Sequence, residues 1–273
     1  MARAPTIAID TVSGFLLRVD AALQARTLDT ALAGISDAVG VLVARVKVYF
    51  GVYRRDAPPI VLGLDAGDEW NRSYSSGHYL LDPTYEAFLR LEHSVCLLPQ
   101  EAFPRGFRTS EFYLSYYRPM GMVDEICFLL RLDRERAAYV SVMRLDEAPP
   151  FASADGARLR MALPAVESMM RHAWALHERS GRPADADARA LHLHLAGALE
   201  QFGRGLLSER EAEVTRLLLK GLVPKIVGRM LEIAPGTVRN HIKSIYTKLG
   251  VRSQAELLAA FFDALASRAS PPQ

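Results

Sequence analysis

Residues 208–250 read SEREAEVTRLLLKGLVPKIVGRMLEIAPGTVRNHIKSIYTKLG, and local signals divide this stretch into three helices with two short breaks. Ser208-Glu209-Arg210-Glu211 is a capping box, in which the serine oxygen takes the N3 amide and Glu211 reaches back to the cap. Ala212, Val214, Leu217 and Leu218 then recur on one face, and Gly221 suits a left-handed C-terminal cap. Pro224 opens a second helix whose apolar stripe is Ile226, Val227, Met230 and Leu231. Only Glu232, Ile233 and Ala234 separate it from a third, begun by Pro235-Gly236-Thr237, with Val238, Ile242, Ile245, Tyr246 and Leu249 at helical spacing. Gly250 stops this helix. Ser253 and Glu256 form another capping box, followed by an apolar stripe of Leu258, Phe261, Phe262 and Leu265.

Two helices joined by a turn-sized gap make a helix-turn-helix, and the polar face of the second says what it meets. Arg239, Asn240 and Lys243 lie together near its N-terminal half, where a recognition helix reads base edges. Thr237, His241, Lys225 and Lys248 are placed to hold phosphates, which fixes register without reading sequence. Between Leu206 and Arg252 there are nine Lys or Arg against four Glu, net +5 in a chain whose total is +2. The remainder is near −3. A basic module on a slightly acidic body suits double-stranded DNA, whose phosphates release counterions to Lys and Arg.

The words L-S-E-R-E-A-E-V, G-L-V-P-K and P-G-T-V-R-N-H-I-K-S-I-Y-T-K-L-G-V-R-S-Q-A-E-L resemble the LuxR/NarL/FixJ-type DNA-binding domain over about sixty residues. The resemblance implies a bacterial transcription regulator in which Arg239, Asn240 and Lys243 contact bases. Four positions depart from it: Ile226 where Glu is common, Gly228 where Ala is usual, Glu232 where the turn favours Gly, and Ala234 where Ser or Thr caps the recognition helix. Losing that cap costs about 1 kcal/mol.

At 273 residues, half of them hydrophobic and 23% charged, the chain suits two globular domains. The polar run 178–189 marks a break, so a sensor domain is expected over 1–180, a linker over 181–205 and the DNA module over 206–273. Strand-like runs at 46–53 and 60–64 flank the turn Asp56-Ala57-Pro58-Pro59, and runs at 126–132 and 138–145 flank a second turn. Helical patterns cover 11–32, a segment opened by Asp82-Pro83, one opened by Ser110-Glu111, and 153–177, where Pro164 is expected to kink or split the helix. A connecting helix is expected over 191–202. The expected fold class is α+β: an N-terminal α/β/α sandwich with an antiparallel sheet, then an all-α four-helix module. Two cysteines without a CxxC spacing indicate neither disulfide framework nor zinc site. With no signal-peptide or membrane-spanning run, a cytoplasmic protein without membrane partners is expected.

The N-terminal part has no early acidic pair and no strand-ending Asp of a phosphoacceptor receiver. It has an aromatic-rich middle instead, including Trp70, Tyr74, Tyr79, Asp82, Tyr85, Phe88, Phe112, Tyr113, Tyr116 and Tyr117, and aromatic walls with a few polar groups build small-molecule pockets. W-N-R-S-Y followed by D-P, as Trp70, Tyr74, Asp82 and Pro83, is similar to the autoinducer-binding, GAF-like sensor domain of LuxR-type quorum sensors. That resemblance implies Trp and Tyr donors to ligand carbonyls and an Asp acceptor for a ligand amide. Asp124 and Glu125 stand where that family has paired glycines, and as acceptors beside the pocket they suit a cationic or polyol ligand. Candidate ligand-binding residues are thus Trp70, Tyr74, Tyr79, Asp82, Tyr85, Phe112, Tyr116, Asp124 and Glu125. Tyr and Phe at helical spacing equally describe plain core.

His172, His177, His192 and His194 lack partners at metal-ligand spacing, and no G-x-S-x-G nucleophile motif occurs, so neither metal, cofactor nor catalysis is expected. The leading reading is a homodimeric DNA-binding regulator with a small-molecule effector and RNA polymerase as a further candidate partner. A narrower one is an acyl-homoserine lactone quorum-sensing receptor. Another is a regulator whose N-terminal domain meets a protein partner without any ligand.

Overall fold

A computed structural model describes residues 8–63, 69–75, 77–104, 106–110, 112–146, 148–180, 197–219, 222 and 224–269. Five antiparallel strands, β1 (Lys47–Arg54), β2 (Ile60–Leu62), β3 (Val95–Leu97), β4 (Met122–Arg131) and β5 (Arg136–Leu145), form one sheet in the order β2-β1-β5-β4-β3. Both expected hairpins are present, with Phe50 opposite Leu62 and Phe128 opposite Val140. β3 was not expected: it is as short as β2 but lacks the adjoining Pro-rich turn that marked β2. The period of two sends Phe50, Val52, Ile126, Phe128, Leu130, Val140 and Val142 to one face and Tyr49, Tyr53, Cys127, Leu129, Tyr139 and Met143 to the other.

Helices α1 (Ile9–Leu23), α2 (Leu28–Leu42) and α6 (Ser153–Arg179) cover the first face. The single helix expected over 11–32 is two, because the hydroxyl of Thr27 accepts the Thr30 amide and caps a new helix. Pro164 does not split α6, which runs through it with Leu159, Ala162, Val166 and Met169 buried along the sheet. Burial on both sides of the proline outweighs its one missing amide bond. Helices α3 (Glu69–Ser75), α4 (Pro83–Leu89) and α5 (Pro99–Ala102) lie on the chain's other, aromatic layer, with α4 capped by Asp82. Where a helix was expected after Ser110-Glu111 the chain makes a π-helical turn, Tyr113–Tyr117, with Ser110 Oγ accepting the Tyr113 amide; Glu111 lies outside the described residues.

The C-terminal module comprises α7 (Glu209–Leu219), α8 (Pro224–Met230), α9 (Pro235–Leu249) and α10 (Gln254–Ala269) around Val214, Leu218, Val227, Val238, Ile245 and Leu257. The Ser208 box forms as expected, Glu211 N donating to Ser208 Oγ and Ser208 N to Glu211 Oε2 at 2.7 Å. At Ser253 the box is shifted: Glu256 N donates to Ser253 Oγ, but the Glu256 carboxylate takes the amide of Arg252. Met230, expected in the buried stripe, is exposed at the end of the short α8. Residues 197–201 are helical. The rest of the expected connecting helix, most of the linker (181–196), Gly221 and the side chains of Ile226, Phe262 and Leu265 lie outside the described residues. Among the described residues no helix is long and apolar enough to cross a membrane.

Candidate DNA-binding face and sensor cavity

Helix α9, the expected recognition helix, is held from below and open above. Val238 and Ile245 are buried, and Ile242, Tyr246 and Leu249 pack partly on the same core, while Thr237, Arg239, Asn240 and Lys243 are exposed on the opposite side. Lys225 is exposed on α8, and His241 is half-buried. The sequence departures have physical counterparts. Glu232 sits at φ 55° in the turn, the left-handed region that costs a residue other than glycine about 1 kcal/mol. Ala234 caps α9 without a side-chain hydrogen bond. Gly228 is crowded by the turn: a Cβ there would stand 2.8 Å from the Ile233 carbonyl oxygen.

Lys248 is placed differently from the other basic residues. Its Nζ donates to Glu211 Oε2 at 2.6 Å, and Ser244 Oγ donates to Glu211 Oε1 at 2.6 Å. Bonds from Lys248, Ser244 and the Ser208 amide hold the Glu211 carboxyl down to about 2. Glu211 therefore both closes the capping box and fastens α7 to α9. Sequence reading recognised only the first role, because the second spans 37 residues.

In the N-terminal part, a cavity of about 30 Å³ opens on the aromatic face of the sheet, lined by Tyr49, Tyr53, Asn71, Tyr74, Asp82, Phe112, Tyr116, Met120, Met122, Glu125, Tyr139, Ser141 and Met143. Asp82 is the hub. Its Oδ1 accepts from the Thr84 amide at 2.7 Å and the Thr84 hydroxyl at 2.8 Å, and its Oδ2 from the hydroxyls of Tyr74 at 2.5 Å and Tyr53 at 3.3 Å. Burial pushes the Asp82 carboxyl above its ordinary range, and the Tyr74, Thr84 and Tyr53 donors hold it partly down. Burial, then the nearby charge of Asp82, pushes Glu125 up to about 8, against the pull of the Ser141 hydroxyl, which donates to Oε1. Gly51 makes room for the wall: a Cβ there would lie 2.3 Å from the Tyr139 ring.

The comparisons with known proteins follow these two halves. Residues 205–261 match the family described as bacterial regulatory proteins, luxR family. An HTH-type transcriptional regulator encoded in the exeN 3′ region of Aeromonas salmonicida is 30% identical over 163 residues, 59% of this chain and 83% of that relative. The chain belongs to the luxR family of bacterial regulatory proteins. As a LuxR-family member it is a transcriptional regulator with a DNA-binding domain of that type. The monoamine regulon transcriptional regulator of Klebsiella aerogenes is 23% identical over 243 residues, 88% of this chain and 94% of the relative. The crystal structure of the VqsR LBD domain from Pseudomonas aeruginosa shares the fold, with TM-score 0.50 and 19% identity over 61% of this chain and 96% of that one.

Of the candidate ligand-binding residues expected from the sequence, the structure brings Tyr74, Asp82, Phe112, Tyr116 and Glu125 to the cavity. Trp70 stands behind it, edge-on to Tyr116 at 6.0 Å. Tyr79 and Tyr85 pack on each other at 5.1 Å as core, with the Tyr85 hydroxyl donating to the Arg54 carbonyl oxygen. Asp124 turns away: its Oδ2 accepts the Phe151 amide at 2.9 Å. The register shift between Met122 and Asp124 re-aims the strand at this point. Tyr53, Tyr139 and Ser141 escaped the sequence reading, although their period-two spacing along β1 and β5 carried the signal.

Proposed function

We propose that residues 1–180 form a sensor whose cavity binds a small-molecule effector, joined by a linker over 181–205 to the DNA module at 206–273. Two chains present two such modules to a palindromic site, and the effector alters how they are presented. The observation that carries this reading is the convergence of Tyr74, Asp82, Phe112, Tyr116 and Glu125 on one cavity, since buried polar groups gathered at a void are unneeded for packing alone.

The DNA roles divide by position. Arg239, Asn240 and Lys243 read base edges, and Thr237, His241 and Lys225 hold phosphates. Lys248 reaches a phosphate only alongside its bond to Glu211. Fluorescence anisotropy with a selected operator and a scrambled duplex separates these roles. Lys243→Ala weakens operator binding by about 1–2 kcal/mol while scarcely changing scrambled-duplex binding. Lys248→Ala weakens both and lowers the salt slope. Equal losses for both variants on both duplexes contradict the division. For the sensor, native mass spectrometry against a metabolite library detects a bound compound that Tyr116→Ala loses without losing DNA; no bound compound, and a Tyr116→Ala chain that regulates normally, refute the effector.

The narrower lactone-receptor reading draws support from Tyr74 and Asp82 lying 2.5 Å apart, the donor and acceptor pair its resemblance implies. An acyl-homoserine lactone series that leaves the melting temperature unchanged at every chain length rejects it.

A further inference from the structure

Resting on the sensor reading, we propose that the cavity receives the ammonium head of an organic cation, held by Glu125 among the rings of Tyr74, Tyr116 and Tyr139. Glu125 is only 6% exposed yet lines the cavity. Ser141 serves its Oε1, and its Oε2 has no hydrogen-bond partner among the described residues. Asp82 shares the cavity, and its four donors are all neutral. Two carboxyls thus face one void with no Lys, Arg or His among its described lining residues.

A buried carboxylate without a counter-charge is unfavourable, and a cation with N–H donors is the group that relieves it. Aromatic rings add attraction for positive charge and little for an anion. A void of about 30 Å³ admits a head of water or ammonium size but no ring, so the ligand's remainder lies toward the opening. The groups that act on Glu125 or feel its charge are Asp82 ahead of α4, Asp124 and Cys127 on its own strand, Tyr139 on β5 and Tyr117 on the π-helical turn, none of them basic; two basic side chains touch the lining rings instead, Lys47 Nζ at 4.8 Å from the Tyr49 ring and His78 at 5.4 Å from the Tyr116 ring. Arg108 and Arg144 act on Asp124. Because burial holds a proton on Glu125 up to about pH 8, an incoming ammonium sends that proton to the buffer.

The test uses the full chain and ammonium ions with methyl, n-butyl and 2-phenylethyl tails, each beside its neutral alcohol, with 3-phenylpropionate as the anion. At least one ammonium raises the melting temperature by a few degrees, while its alcohol and the anion do not. Calorimetry at pH 7 in two buffers of different ionisation enthalpy detects proton release on binding. Glu125→Gln keeps the Ser141 bond and the fold but loses affinity roughly tenfold to a hundredfold, the size of one charge-assisted hydrogen bond, along with the proton release. An alcohol or anion that stabilises as well as the ammonium, with Glu125→Gln unaffected, overturns the cation assignment and leaves the cavity an effector site. Failure of every compound, together with a failed metabolite search, overturns both.

Discussion

Ile126, Phe128 and Leu130 leave β4 on one side of the sheet and Glu125, Cys127 and Leu129 on the other, and the two sides bury different chemistry. Beneath α1, α2 and α6 the strand side chains are mainly aliphatic, with Phe128 and Val140 fully covered. On the opposite side several tyrosines, Asp82, Glu125 and Ser141 are buried too, though less completely. The first face has only packing to do, and apolar burial supplies stability there without directional demands. The second buries carboxyls in a low-dielectric place, where desolvation pushes both above their ordinary range, and packing alone would select against such groups. Keeping such groups costs stability, the cost that the proposed site would account for.

Substitutions on the two faces therefore differ in sign as well as size. Phe128→Ala on the aliphatic face removes a fully buried ring and lowers unfolding free energy by about 3–5 kcal/mol, read as a drop in the urea midpoint; a loss under 1 kcal/mol would break the contrast. Gly51→Ala is smaller, because its Cβ forces Tyr139 or the Ile60 carbonyl to shift. The cost is about 1–3 kcal/mol in the same assay, and the cavity wall moves with it.

The pH dependence sharpens the comparison. With the Glu125 carboxyl raised from its ordinary 4.5 to about 8, the folded chain keeps a proton that the unfolded chain has lost over this window. Its contribution to stability is complete below pH 4.5 and fades as pH rises to about 8. Melting temperatures of the ligand-free protein fall across that range. Glu125→Gln flattens the fall and leaves the variant more stable than the parent at pH 8, whereas a variant less stable at pH 8 would make Glu125 an ordinary core residue. The smallest effect lies in the other domain. Ala234→Ser restores the missing cap of α9 and gains about 1 kcal/mol, seen as a raised melting temperature with operator preference unchanged.

Much of this was legible because its causes are local. The prolines at 224 and 235, the Ser208 box and the 3.6-residue stripe of α9 all act within a few turns of chain, so the helix-turn-helix and its outward Arg239, Asn240 and Lys243 follow from neighbouring residues. The two hairpins were legible for the same reason. The break at Thr27 was missed because apolar spacing continues across it, and β3 because no hairpin turn beside it marks so short a strand, as one marks β2.

Trp70, Tyr79 and Tyr85 look like Tyr74 and Tyr116 in sequence, yet the first three pack as wall or core while the other two line the void. Asp124 and Glu125 are adjacent, and one holds the Phe151 amide while the other faces the cavity. The amino-acid order alone set the helix with the outward basic face, since short-range hydrogen bonding and periodicity are written into consecutive residues. Which carboxyl became the buried one was decided only when β1, β4, β5 and the Asp82 cap came together, because burial of a charge depends on neighbours distant in the chain.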